Sequence, residues 1–257
     1  MRKMKDVVLE KEGELQVLER RESWEGAEAI HDELRTAILS NQLPAGMILN
    51  QVHIAGRLGV SRTPLREAMR MLQREGLIEG ESQKRLRVAP LNLSGLEDLY
   101  AMRILLECLA IRLSVPRLVG AELERLDAYL KETEACARTE NYTKFEKPHR
   151  LFHQGLVNHA GQRLLRQIRQ LSDHAERYRH AYTREVPRSW AIGIREHREI
   201  LDACKQRNPI LASERLARHY SSVVLGLLGM LAPENDPYAV RTAMKMASFS
   251  GNDNDAG

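Results

Sequence analysis

Apolar positions between residues 27 and 72 recur at three- and four-residue spacing in three short runs, the mark of amphipathic helices. Ala27, Ile30, Leu34 and Ile38 trace the first, which ends near Pro44-Ala45-Gly46. Val52, Ile54, Ala55 and Leu58 trace a second, shorter helix that Asn50 is placed to cap. Leu58-Gly59-Val60 reads as a tight turn, because glycine reaches backbone angles that a Cβ disfavours. Ser61 then stands where a hydroxyl caps the next helix, and Pro64 is tolerated because it lies in the first turn. Leu65, Met69 and Leu72 give that third helix its apolar face. The pattern then shortens. Gly76–Glu79 and Leu86–Ala89 read as two strands joined by the polar tip Gly80–Arg85. Three helices followed by a hairpin predict a winged helix-turn-helix over residues 24–90.

Helical periodicity returns after a short linker at 91–93 and persists to residue 232. Ser94-x-x-Glu97 forms a capping box ahead of an apolar face made by Leu99, Met102, Leu106, Leu109 and Leu113, and Pro116 closes that helix. Further helices are expected near 121–138, 144–159, 162–183, 188–206 and 209–231. The fold class is therefore mainly α, a winged helix-turn-helix followed by an antiparallel all-α bundle at 94–232. The charged stretch 1–23 is expected to be a flexible N-terminal extension. Asn, Asp, Gly and Ser dominate 233–257, which is expected to be a flexible tail.

Charge changes the picture in the first region. Arg62, Arg66, Arg70 and Arg74 recur every four residues and share a helical face. An ordinary solvated face can look the same, but Arg57 to Arg87 holds eight Lys or Arg against four Glu. A helix that is apolar on one side and cationic on the other suits the DNA major groove, and its phosphate contacts gain from counterion release. The whole chain has net charge +4 and a pI near 9.0, a mild excess by comparison. No apolar run reaches the roughly 20 residues of a membrane helix, and the N-terminus lacks a signal-peptide core. Cys108, Cys136 and Cys204 fall in helical patterns and read as reduced packing residues. A cytoplasmic protein with no membrane association is expected.

Residues 27–90 resemble the DNA-binding domain of the GntR family of bacterial transcription regulators. The resemblance rests on Ile38–Gly46, on Gly59–Ala68 with its Arg62-Thr63-Pro64-Leu65-Arg66-Glu67-Ala68 core, and on Arg74-Glu75-Gly76-Leu77-Ile78. It implies that Ser61, Arg62, Thr63 and Arg66 contact bases or phosphates. Lys84, Arg85 and Arg87 of the wing would contact the backbone or minor groove. Arg85 stands where the family usually has a wing-tip glycine. A homodimer reading a palindromic operator in double-stranded DNA follows from two copies of one reading helix.

Histidines supply the second candidate chemistry. His149 and His153 are one helical turn apart, while His197 and His219 lie on two later helices among apolar residues. Residues 94–230 resemble the FCD ligand-binding domain of the FadR subfamily, through Leu99-Tyr100-x-x-Arg103-x-x-Leu106-Glu107, Phe152-His153, Glu196-His197-x-x-Ile200-Leu201 and His219. Such domains often hold a divalent metal through an aspartate and three histidines. His153, His197 and His219 fall on the histidine positions, and His149 replaces the aspartate. Zinc is the first expectation, with nickel or manganese as alternatives. Pro148 leaves two versions open: His149 as a fourth ligand, or a three-histidine site completed by water or effector. Arg103 pairs naturally with Glu107 at i,i+4; the resemblance implies instead that it holds the carboxylate of a small organic acid effector.

Together these readings predict a non-enzymatic transcription regulator, a repressor by family habit, controlled by an effector at the metal. Two rivals stay open: a metal-free regulator sensing a larger ligand such as an acyl-CoA, and a metal-dependent hydrolase or lyase.

Overall fold

The computed structural model describes residues 26–80, 85–139, 141–182, 189–234 and 236–248. The chain divides into two compact units, with the division between Asn92 and Leu93. The first unit is built from α1 (Gly26–Leu39), β1 (Ile48–Leu49), α2 (Gln51–Leu58), α3 (Arg62–Arg74), β2 (Ile78–Glu79) and β3 (Leu86–Val88). Its three strands pair antiparallel in the order β1-β3-β2, with Leu49 opposite Leu86 and Ile78 opposite Val88. The expected hairpin is present, and β1 is an addition. Two residues are too few to show alternation, so β1 leaves no periodic trace in the sequence.

Local chemistry explains the helix boundaries. The Asn50 side chain accepts from the amides of Val52 and His53 at 3.0 and 3.1 Å, capping α2. Gly59 ends α2 at φ 69°, in the left-handed region. Ser61 takes the N-cap position of α3, but its side chain makes no capping hydrogen bond. The expected capping role is corrected here. With extended backbone angles and an exposed side chain, Ser61 offers its hydroxyl to solvent. Gly80, at φ 117°, begins the wing; a Cβ there would lie 2.6 Å from the Arg85 carbonyl oxygen.

The core of this unit is apolar and continuous. Ile30, Leu34 and Ile38 from α1 meet Ile54 and Leu58 from α2, Leu65, Met69 and Leu72 from α3, and Leu86 and Val88 from β3. Burying each large side chain contributes roughly 1.5–3 kcal/mol. Polar contacts join them at the edge. His31 is 6% exposed and bonds Glu75 through Nε2 at 2.8 Å and Asp32 through Nδ1 at 2.9 Å. Glu75 caps the C-terminus of α3 and also accepts from Arg35 Nε at 3.1 Å. These contacts tie the end of α3 to α1.

The second unit contains α4 (Leu93–Ser114), a 3-10 turn (Val115–Arg117), α5 (Gly120–Arg138), α6 (Tyr142–Leu156), α7 (Gln162–Tyr182), α8 (Ser189–Lys205), α9 (Pro209–Leu231) and α10 (Tyr238–Ala247). Glu176–Ala181, near the end of α7, groups with the first unit. There Arg177 is buried and donates to the Ala89 carbonyl. Tyr178 donates its hydroxyl to the Asn92 carbonyl at 2.9 Å.

Two expectations for this unit change. Helix α4 begins at Leu93, one residue ahead of Ser94, and Glu97 accepts from the Ala239 amide at 2.7 Å, at the start of α10. The expected flexible tail contains α10, which buries Val240, Ala243 and Ala247 and receives Arg112 on the Ala247 carbonyl at 2.6 Å. A polar, glycine-containing flank masked this ten-residue amphipathic stretch. The expected inward face of α4 is also rotated. Leu99 is buried, but Met102, Leu109 and Leu113 are 46, 51 and 43% exposed. Leu96, Tyr100, Ile104, Cys108 and Ile111 turn inward instead. Helix α4 is apolar on two faces, so periodicity alone could not choose between them.

All three cysteines are free and buried. Burial pushes the thiols of Cys108 and Cys204 up to about 12. Among the described residues, no helix is long and apolar enough to cross a membrane. The N-terminal extension at 1–23 and the wing residue Lys84 lie outside the described residues.

Candidate functional site

The first candidate surface is α3. Leu65, Ala68, Met69 and Leu72 are buried, which fixes the rotation of the helix about its axis. Ser61, Arg62, Thr63, Arg66, Arg70 and Arg74 are consequently exposed. Pro64 pre-sets the first turn without losing a needed amide, since the first amides of a helix have no intrahelical partner. In the wing, Arg85 and Arg87 are exposed, and Arg87 Nε donates to Glu79 Oε1 at 2.7 Å across the β2–β3 ladder. This surface pair contributes little to stability but orients the guanidinium.

The second candidate lies inside the bundle. Helix α6 supplies His149 and His153, α8 supplies His197 and α9 supplies His219. Their exposures are 7, 6, 3 and 4%, so all four imidazoles are withdrawn from water. His197 Nε2 lies 3.0 Å from His153 Nε2 and 3.1 Å from His219 Nε2. One ligand atom from each of the four lies within 4.8 Å of the others. Pro148 sits inside α6 without removing His149 from the group. The His149 ring stacks on Phe145 at 5.0 Å and meets His153 edge-on at 4.6 Å. Nitrogens bound to a tetrahedral zinc at about 2.0–2.1 Å stand roughly 3.3 Å apart, close to the spacing here. The donor set therefore fits a divalent ion.

Polar groups stand behind these rings. His219 Nδ1 lies 2.9 Å from Glu196 Oε2, and Glu196 Oε1 accepts from Ser222 at 2.8 Å. His153 Nδ1 is 3.1 Å from the Tyr220 hydroxyl, which donates to Glu107 Oε2 at 2.5 Å. Glu107 Oε1 accepts from Arg103 Nε at 2.8 Å, and that guanidinium lies 4.1 Å over the Tyr220 ring. Burial depresses the His153 pKa well below its ordinary value, and the neighbouring imidazoles and Arg103 add to the effect. Burial likewise raises the Tyr220 phenol well above its ordinary value and raises the Glu196 carboxyl. Burial opposes the Arg103 charge, but Glu107 and the two tyrosine rings outweigh it and hold the guanidinium above its usual value.

Two family descriptions match the chain: the bacterial regulatory proteins of the gntR family over residues 27–88, and the FCD domain over residues 98–222. The chain belongs to the GntR family. The HTH-type transcriptional regulator YdhC of Bacillus subtilis (strain 168) is 29% identical over 198 residues, covering 74% of this chain and 86% of that protein. The HTH-type transcriptional repressor GlaR of Escherichia coli (strain K12) is 28% identical, covering 65% of this chain and 79% of that one. The solved structure of E. coli McbR/YncC superposes with a TM-score of 0.71 at 20% identity, covering 80% of this chain and 98% of that one, and shows the shared fold. This GntR protein is thus a DNA-binding transcription regulator, and its relatives are regulators rather than enzymes.

Sequence reasoning placed the four histidines correctly on three helices, and the fold brings them together. It missed the groups behind them. Tyr220 directly follows His219, but helical geometry sends its hydroxyl to His153 instead. Glu107 was visible as the i,i+4 partner of Arg103, but its bond to Tyr220 spans 113 residues and has no local signal. Glu196, next to His197 in the chain, reaches His219 on the neighbouring helix. Arg103 occupies the expected i,i+4 pair with Glu107, and both side chains are almost completely buried.

A buried pair of this kind is sensitive to losing one partner. Glu107→Ala is expected to destabilise the protein by about 3–5 kcal/mol, since it leaves the Arg103 cation buried without its carboxylate. Chemical denaturation checks this, and a loss below about 1 kcal/mol would show that the guanidinium finds water.

Proposed function

We propose that this GntR-family regulator is a repressor whose operator binding is controlled by a small carboxylate-bearing effector at a divalent metal, zinc foremost, in the second unit. The convergence of His153, His197 and His219 Nε2 atoms, with His149 beside them in a buried site, carries this reading. When bound, the ion supplies a Lewis-acid position that an effector carboxylate can occupy. Four neutral imidazoles contribute no charge, so the ion's +2 faces the ligand undiminished by an aspartate. Arg103, held beside Tyr220 and His153, is the second cation for that carboxylate.

On the DNA side, Ser61, Arg62, Thr63 and Arg66 would read or position the operator, with Lys84, Arg85 and Arg87 contacting the backbone or minor groove from the wing. A homodimer on a palindrome, acting on the chromosome in the cytoplasm, completes the reading. The exposed row Met102, Leu105, Leu109 and Leu113 on α4 supports the dimer, because four apolar side chains at helical spacing favour an apolar partner. For the switch to work, effector affinity must differ between DNA-competent and DNA-incompetent states.

Each part has its own measurement. Arg66→Ala should weaken operator binding about tenfold or more in a fluorescence titration at fixed salt, with dimerisation intact; unchanged affinity would remove α3 from the interface. His197→Ala should lower the metal content of purified protein, read by elemental mass spectrometry, while operator binding without effector persists. Equal metal in both proteins would remove His197 from the site. Leu109→Glu should shift sedimentation towards monomer, and an unchanged dimer would place the contact elsewhere.

A further inference from the structure

We propose that Glu196 and the Tyr220–Glu107 pair are positioning residues that fix the proton of His219 and of His153 on Nδ1, so both rings present Nε2 lone pairs before any metal arrives. This rests on the metal reading of the histidine cluster.

The assignment follows from counting protons. Tyr220 has one. It lies 2.5 Å from Glu107 Oε2, a carboxylate already paired with Arg103, and donates there. The 3.1 Å contact between the phenol oxygen and His153 Nδ1 must then run the other way, with Nδ1–H donating to the phenol. Were the phenol proton turned towards His153, two oxygen acceptors would face each other at 2.5 Å in a buried place. At the other ring, Glu196 offers only acceptor oxygens. One takes the Ser222 hydroxyl at 2.8 Å, and the other takes His219 Nδ1–H at 2.9 Å.

Both neutral rings therefore carry a lone pair on Nε2, and both lone pairs point towards His197 Nε2 at 3.0 and 3.1 Å. A neutral His197 has at most one Nε2–H, which can serve one of the two neighbours at a time. A cation at the centre accepts both lone pairs together, and a third from His197 when its proton sits on Nδ1. The ligand set is in that sense preorganised for a cation. Removing such a supporting partner lowers metal affinity by about 10–100-fold in comparable sites.

The test uses the full chain labelled with 15N-histidine and stripped of metal. Long-range proton–nitrogen correlation spectra should show His153 and His219 as Nδ1–H tautomers, with Tyr220→Phe disturbing the first and Glu196→Leu the second. Nε2–H tautomers at both rings of the unsubstituted protein would overturn the assignment. Competition with a chromophoric chelator should then show zinc bound about 10–100-fold more weakly by Tyr220→Phe and by Glu196→Leu. Glu196→Gln, whose amide oxygen still accepts from Nδ1–H, should recover most of the loss. Variants that bind zinc as tightly as the unsubstituted chain would also overturn the proposal. If the unsubstituted chain shows the Nδ1–H tautomers but binds no zinc, the metal reading fails and the assignment stands. If it binds zinc without them, the assignment alone fails.

Discussion

Four imidazoles buried in a helical bundle have to be kept neutral, and their protons have to point somewhere useful. That constraint organises the second unit. At His153 burial removes the water that would otherwise stabilise imidazolium, and the rings of His149, His197 and His219 add to the penalty. Groups on other helices therefore take the ring protons. Glu196 on α8 serves a ring on α9, and Tyr220 on α9 serves a ring on α6. Glu107 and Arg103 on α4 complete the chain. The helices that carry the histidines are thus crossed by the hydrogen bonds that orient them. The same interactions hold the bundle together and prepare its centre.

In the first unit the corresponding constraint is apolar. Leu65, Met69 and Leu72 leave α3 one rotation, and the arginines inherit the opposite face. The polar tie from His31 and Arg35 to Glu75 fixes the far end of the helix. A helix anchored along its side and at its C-terminal end presents its N-terminal residues in a constant geometry. Groove recognition depends on that constancy, since a good bidentate base contact is worth about 1–3 kcal/mol only when it is well aligned.

The sequence made some features legible and hid others, and chain distance separates them. Gly59, Asn50 and Pro64 act on residues within four positions, so turn, cap and helix start could be read directly. The His149–His153 pair was legible for the same reason. Convergence with His197 and His219 was suggested by family likeness and became visible only in the fold. Helix α4 defeated periodicity because both its faces are apolar, and Tyr100 and Ile104 took the interior in place of Leu109 and Leu113. The Ser94–Glu97 pattern marks a helix start, and Glu97 also serves a helix that begins more than a hundred residues later, which no local pattern announces. A local motif competes with every distant donor, and local reading sees only one side of that competition.

Helix α10 bears on where this domain ends. The stretch matched as an FCD domain stops at residue 222, inside α9, while Glu97 and Arg112 of α4 make bonds to Ala239 and Ala247 beyond it. A chain ended at residue 222 would lose the last nine residues of α9 and all of α10, and with them the Ala239 amide and the Ala247 carbonyl that Glu97 and Arg112 now use. The helical unit built on α4 thus extends past the stretch that the FCD description covers.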